Sequence, residues 1–250
     1  MNENFPIPTP SRLPIKITPC PIVEAILEIR FVTTESWRTL PGLLYAHIRE
    51  KYPQQRDLPL AAFPEEMRRH ELALQHLPLV QFLSEDFLIQ FGPRVISLVT
   101  KPNKYPGWTA LEKEMQWLLQ ELQQIGFISE GERLGVRYIN FLTQNVFDQL
   151  ILGVTVGPQT LTAGETSLTN VLRKKPLTAR LHVANSALLG GDEDVRKGSI
   201  VDIDVGLGAL DFDLFTNGLA KFGEAHTFEK DIFFGLLKPE FLATFNPEYK

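Results

Sequence analysis

An α+β fold, with an antiparallel sheet and its helices on one face, is what this sequence predicts, and three observations predict it. Apolar and polar residues alternate with a period of two in several segments, as half-buried strands require. Strands come in pairs with long amphipathic stretches between them, where strictly alternating strand–helix units would favour a parallel sheet. Two short segments, Glu28-Ile29-Arg30-Phe31-Val32 and Gly135-Val136-Arg137-Tyr138-Ile139, share an apolar-Arg-aromatic-apolar core and open similar successions of elements. The match suggests an internal duplication of a β-α-β-β-α unit, with pseudo-repeats at about 22–127 and 133–240 within one domain, 22–250.

Residues 1–21 hold six prolines, from Pro6 to Pro21. Proline lacks a backbone N–H and fixes φ, so an extended arm is expected, either packed on the surface or reaching a partner. The first strand follows at 22–32: Ala25, Leu27, Ile29 and Phe31 point one way, and Glu24, Ile26, Glu28 and Arg30 the other. A helix is expected from Pro41 to Tyr52, with Leu44, Tyr45 and Ile48 as its apolar stripe and Pro53 as its stop. Residues 53–77 are mixed, with a short helix at 65–69.

Strands at 87–91 and 94–100 turn at Gly92-Pro93. Thr109 and Glu112 have the spacing of a capping box. The helix they would open carries Leu111, Met115, Leu118, Leu122 and Ile125 on one side and ends at Gly126. The strand at 134–142 is apolar on both sides, which predicts a central strand covered on both faces. Residues 146–152 fit a short helix or strand, and 157–170 a loop. Strands at 178–183 and 199–207 flank a turn at 190–194. A last helix, 217–237, buries Phe222, Ala225, Phe228, Ile232, Phe233 and Leu236 and is closed by Pro239.

The run Pro21-Ile22-Val23-Glu24-Ala25-Ile26-Leu27-Glu28-Ile29-Arg30-Phe31 and the later Gly135-Val136-Arg137-Tyr138-Ile139-Asn140 resemble the two signature segments of a sporadically distributed prokaryotic family of about this length. The Ala225-His226 pair ahead of an aromatic C-terminal stretch is also similar. The resemblance covers most of the chain. It implies an accessory or defence-type operon and brings no catalytic residues with it.

Composition narrows the function. The 250 residues are 44% hydrophobic and 22% charged, ordinary values for a folded chain. A net charge of -5 disfavours nucleic acid and acidic lipid as partners. One cysteine, Cys20, rules out an internal disulfide and fits a reducing compartment, and no signal peptide or membrane span is read; cytoplasmic localisation is expected.

The residues that could carry function are polar ones on strands. Glu24, Glu28 and Arg30 share one side of the first strand, Arg180 and His182 one side of a later one, and Asp202 and Asp204 one side of the next. Arg137, on an apolar strand, needs a carboxylate, with Glu28 or Asp202 as candidates. Three readings compete for these eight residues. They form a solvated face of cross-strand ion pairs, a groove for a peptide or anionic ligand, or a site where carboxylates hold Mg²⁺ or Mn²⁺ and arginines hold phosphate. The third departs from the usual carboxylate-and-lysine strand pattern at Glu28-Ile29-Arg30.

No catalytic set is read, and no cofactor is expected. His47, His70 and His76 lack metal-ligand spacing. His226 fits a core histidine. The glycines of Val205-Gly206-Leu207-Gly208 open no convincing helix, so a dinucleotide site is not supported. Arg173-Lys174-Lys175 reads as a solvated loop. The expected function is non-enzymatic: a binding protein that uses the polar sheet face or the arm to hold a protein partner or to self-associate. The alternative is a divalent-metal phosphohydrolase or nucleotide-binding protein.

Overall fold

A computed structural model describes residues 6–71, 73–160, 165–190, 195–208 and 212–249. Its strands are β1 (Ile22–Val32), β2 (Gln54–Asp57), β3 (Val80–Leu83), β4 (Phe87–Gly92), β5 (Val95–Thr100), β6 (Glu130–Leu142), β7 (Thr155–Val156), β8 (Gln159–Thr160), β9 (Ser167–Lys174), β10 (Leu177–Leu189) and β11 (Arg196–Gly208). Its helices are α1 (Leu40–Ile48), α2 (Glu65–His70), α3 (Trp108–Ile125), α4 (Leu214–Leu236) and α5 (Pro239–Ala243). Nine strands form an antiparallel sheet in the order β2-β3-β4-β5-β1-β6-β11-β10-β9, and β7 and β8 pair separately. The fold is α+β, as the period-two segments predict. A leading strand, β1 or β6, lies beside the last strand of an antiparallel run, β5 or β11, and a long helix follows.

The chain divides into two compact units. The first is Glu24–Val136 with Gly206–Glu224, and the second is Met1–Val23, Arg137–Val205 and Ala225–Lys250.

In the first unit, register explains the core. Leu27, Leu98, Ile89 and Phe82 stand opposite one another across β1, β5, β4 and β3. Tyr45 of α1 stacks on Phe82 at 5.9 Å, which seats α1 on this apolar face. Helices α1 and α3 pack together. Beyond the end of α1, the Tyr52 hydroxyl donates to Glu114 Oε1 of α3 at 2.8 Å, satisfying a fully buried phenol. Gly126 ends α3 in the left-handed region (φ 74°), and the chain then drops Phe127 onto Phe31 and Phe91.

The opposite face of the first unit is polar. Glu28, Ser97, Gln90, Gln81 and Arg56 form a row in register across five strands, and Arg56 Nε donates to Gln81 Oε1 at 2.7 Å. This face is not fully open. Leu88, Val95 and Val99 on it are buried. At Gly92 the chain crosses so closely that an added Cβ would lie 2.5 Å from the Leu77 carbonyl oxygen.

In the second unit, Val201, Ile203 and Val205 of β11 and Ala179, Leu181 and Val183 of β10 are buried, while Asp202, Asp204, Arg180 and His182 alternate with them. His226 of α4 meets Tyr138 of β6, which places this helix over the apolar face. Residues 6–21 are stitched to their own unit. Ile15 N–H donates to Glu248 O and Thr18 N–H to Phe245 O (2.8 and 2.6 Å), and Lys230 Nζ donates to Pro14 O at 2.8 Å.

Three expectations need correction. The capping box is not formed: Gly107, with φ 98°, is the N-cap and no side chain caps the helix. Because the glycine turns the chain in, α3 starts at Trp108 and Thr109 already lies inside its first turn. Thr109→Ala is therefore expected to change stability by less than about 0.5 kcal/mol, against ~1 kcal/mol for loss of a true cap; a thermal melt checks this. Secondly, part of the expected 157–170 loop is strand, since β9 begins at Ser167. Thirdly, β6 is central but not sealed on both sides, because Arg133, Arg137 and Ile139 are only half-buried. The turn expected at 190–194 lies largely outside the described residues, as do the residues following Gly208 at 209–211.

Candidate functional site

The polar residues singled out from the sequence fall into two clusters, one in each unit. In the first unit, alternation along β1 puts Glu24, Glu28 and Arg30 on the polar face, all half-buried. Glu28 Oε1 accepts from Arg30 Nε at 2.8 Å and from Arg133 Nη1 of β6 at 2.6 Å. One carboxylate thus holds two guanidiniums, with side chains 20–34% exposed, so solvent screens the pairing only in part.

The position of Arg133 depends on two glycines. A Cβ at Gly206 would lie 2.7–2.9 Å from its guanidinium atoms, and one at Gly135 would also overlap it. Bare backbone on β6 and β11 lets the planar group lie against the sheet, where a larger residue would push it off Glu28. Next to Arg133 in sequence, Glu132 accepts from Arg94 Nη2 and lies 3.4 Å from His76 Nε2. Burial holds the His76 imidazole below its ordinary pKa, and the Arg30 guanidinium adds to that.

In the second unit, Arg137 forks onto Asp202, with Nε–Oδ1 at 2.8 Å and Nη2–Oδ2 at 2.7 Å. Of the two partners foreseen for Arg137, Asp202 is the one it takes in a bidentate pair. Such a pair is both charge-assisted and geometrically exact in register. The aspartate is buried and the arginine side chain 36% exposed. Arg180 Nη2 lies 3.7 Å from Asp204 Oδ2 with its side chain 57% exposed, a pair of about 0–1 kcal/mol. His182 Nε2 is 3.1 Å from Ser167 Oγ of β9.

Of the eight residues, Glu28 and Arg30 meet each other, as do Arg137 with Asp202 and Arg180 with Asp204. Reading the sequence missed Arg133, Glu132, Arg94 and His76. The signal for Arg133 was present: carrying the period of two back from Arg137 through Gly135 puts Arg133 on the same side.

Chemically, the clusters are neutralised. Each of Glu28, Asp202 and Asp204 faces a guanidinium within 4 Å. Among the described residues no group of three or more His, Cys, Asp or Glu side chains could hold a metal ion. Among the described residues no helix is long and apolar enough to cross a membrane. Neither a protein-family model nor a curated protein matches the chain.

Proposed function

We propose that the protein is a non-enzymatic binding protein that takes a protein partner on the polar face of its sheet. The observation that supports this best is the pairing itself. Carboxylates already engaged by arginine are poor metal ligands and poor bases, but fixed ion pairs form a preorganised pattern of charge that a complementary protein surface can read. The arm is a weaker candidate, since residues 6–21 spend their hydrogen bonds on their own unit. The resemblance of the two signature segments to the sporadic prokaryotic family supports a place in an accessory or defence-type operon, and the single cysteine supports a cytoplasmic setting.

The metal-dependent phosphohydrolase reading uses Glu24, Glu28, Asp202 and Asp204, and the last three would have to turn from arginine to a cation, which the distances above disfavour.

Affinity capture from the native host tests the proposal, with Arg30→Ala, Arg180→Ala and, as a control on the exposed side of α3, Lys113→Ala. A partner kept by the wild type and by Lys113→Ala and lost by the two face variants, with their melting curves unchanged, is the expected result. Equal recovery by all four would refute it. So would stabilisation by a nucleotide of about 2.7 kcal/mol at 100 times Kd that appears only when Mn²⁺ is added and is lost in Glu28→Gln, which would favour the phosphohydrolase.

A further inference from the structure

We infer that a cavity in the first unit, at the C-terminal end of β1, binds a small molecule carrying a single phosphate ester. The cavity has a volume of about 800 Å³, within the range of small-molecule sites. Three arginines line it from three separate elements: Arg38 from the segment after β1, Arg68 from α2 and Arg94 from the β4–β5 turn. Donors arriving from three directions suit a tetrahedral group, whose oxygens point several ways, better than a flat carboxylate.

The donors are available. Arg38 uses its backbone N–H on Ser36 Oγ at 3.4 Å, and its exposed guanidinium has no partner among the described residues. Among the described residues Arg68 spends only Nε, on the Phe63 carbonyl at 3.0 Å, which leaves both terminal nitrogens. Arg94 spends Nη2 on Glu132 and retains its other donors. Thr33 Oγ1 accepts from the Glu35 N–H at 3.0 Å, and Ser36 Oγ from Arg38. A hydroxyl oxygen that has accepted a backbone N–H still has its own proton to donate, so both add donors to the wall.

The remaining lining sets the size of the charge. Glu35 and Glu65, both exposed, also border the cavity. With Glu132 held by Arg94, three guanidiniums stand against three carboxylates, so the wall holds an anion by directed donors rather than by net charge, which disfavours a polyphosphate or a nucleic-acid backbone. Trp37 supplies the apolar part. It is half-buried, and one side of its ring rests on Phe91 with centroids 5.3 Å apart. The indole gives a flat wall for the organic part of the ester.

Thermal-shift titration and calorimetry on the full chain test this with inorganic phosphate, AMP and adenosine. AMP is expected to bind, phosphate more weakly, and adenosine not measurably. Arg38→Ala with Arg68→Ala should weaken AMP at least tenfold, while the melting temperature without ligand stays the same. Trp37→Leu should weaken AMP and leave phosphate unchanged. Absence of any shift with AMP or phosphate at about 10 mM, or undiminished AMP binding by the double arginine variant, would overturn the inference. Binding of phosphate and AMP with equal affinity would overturn its ester part. None of these outcomes bears on whether a protein occupies the polar sheet face.

Discussion

Phe31→Ala is expected to destabilise the first unit by about 3–5 kcal/mol. Phe31 is completely buried at the end of β1. Its ring lies 6.3 Å from Phe91 of β4 and 5.5 Å from Phe127, centroid to centroid, and Phe127 in turn meets Phe91 at 5.7 Å. Removing the ring takes away buried apolar area and also leaves a void bounded by two other rings. Those rings are fixed by the sheet and by the Gly126 turn, so the void cannot readily collapse. Urea unfolding followed by tryptophan fluorescence is a clean measurement, because all three tryptophans (Trp37, Trp108 and Trp117) lie in the first unit. A loss below about 1 kcal/mol would show that the three rings do not form one rigid cluster.

The second large effect concerns acidity. Of His226 and Glu229, one turn apart on α4, Glu229 is buried and His226 half-buried against Tyr138, and loss of solvent disfavours the charged form of each. The imidazole, further opposed by Lys230, falls from 6.5 to about 3. The Glu229 carboxyl rises from 4.5 to about 8, although Lys230 pulls it the other way.

The two shifts act in opposite directions. Between pH 3 and 6.5 the unfolded chain binds a proton at residue 226 that the folded chain refuses, so stability falls as the solution is acidified through that window. Between pH 4.5 and 8 the folded chain keeps a proton at residue 229 that the unfolded chain releases, so stability falls as pH rises. Where the windows overlap, from 4.5 to 6.5, the slopes cancel. These two residues thus give a plateau, with a one-proton decline on each side. At about 1.4 kcal/mol per pH unit, each limb is worth on the order of a few kcal/mol. Glu229→Gln should remove the alkaline limb and, with nothing left to cancel the His226 slope, extend the acid one up to about pH 6.5, read by urea unfolding across pH 3–9 with circular dichroism. An alkaline limb unchanged in that variant would rule out Glu229 as its source.

How far the sequence could be read depended on where apolar side chains sit. The first strand was read with its observed bounds, 22–32, because its core side is strictly apolar at Ala25, Leu27, Ile29 and Phe31. The end of α3 was legible for a similar reason, since only a left-handed glycine turns the chain there at no cost. β2 and most of β9 were not legible. Gln54-Gln55-Arg56-Asp57 and Thr169-Asn170 carry no apolar alternation, because they lie at the ends of the sheet and have little core to face. The polar face followed the same division. Residues on well-patterned strands, such as Asp202 and Arg137, were found. Arg133 was not, because the strand was started at Leu134, after the charged Glu130-Gly131-Glu132-Arg133 run. His76 and Arg94 reach Glu132 from outside the strands, and no local pattern encodes such a meeting.

The rims of the sheet have a consequence of their own. A wide antiparallel sheet ends in two rows of backbone amides and carbonyls that another copy could extend, the route by which β-rich chains polymerise. Here one rim is Gln54–Asp57, four residues all in contact with solvent, and the other, Ser167–Lys174, finishes on Arg173 and Lys174. Stacking copies rim to rim would strip water from those polar and charged side chains. The same lack of pattern that hid these strands from view therefore works against growth by rim-to-rim pairing.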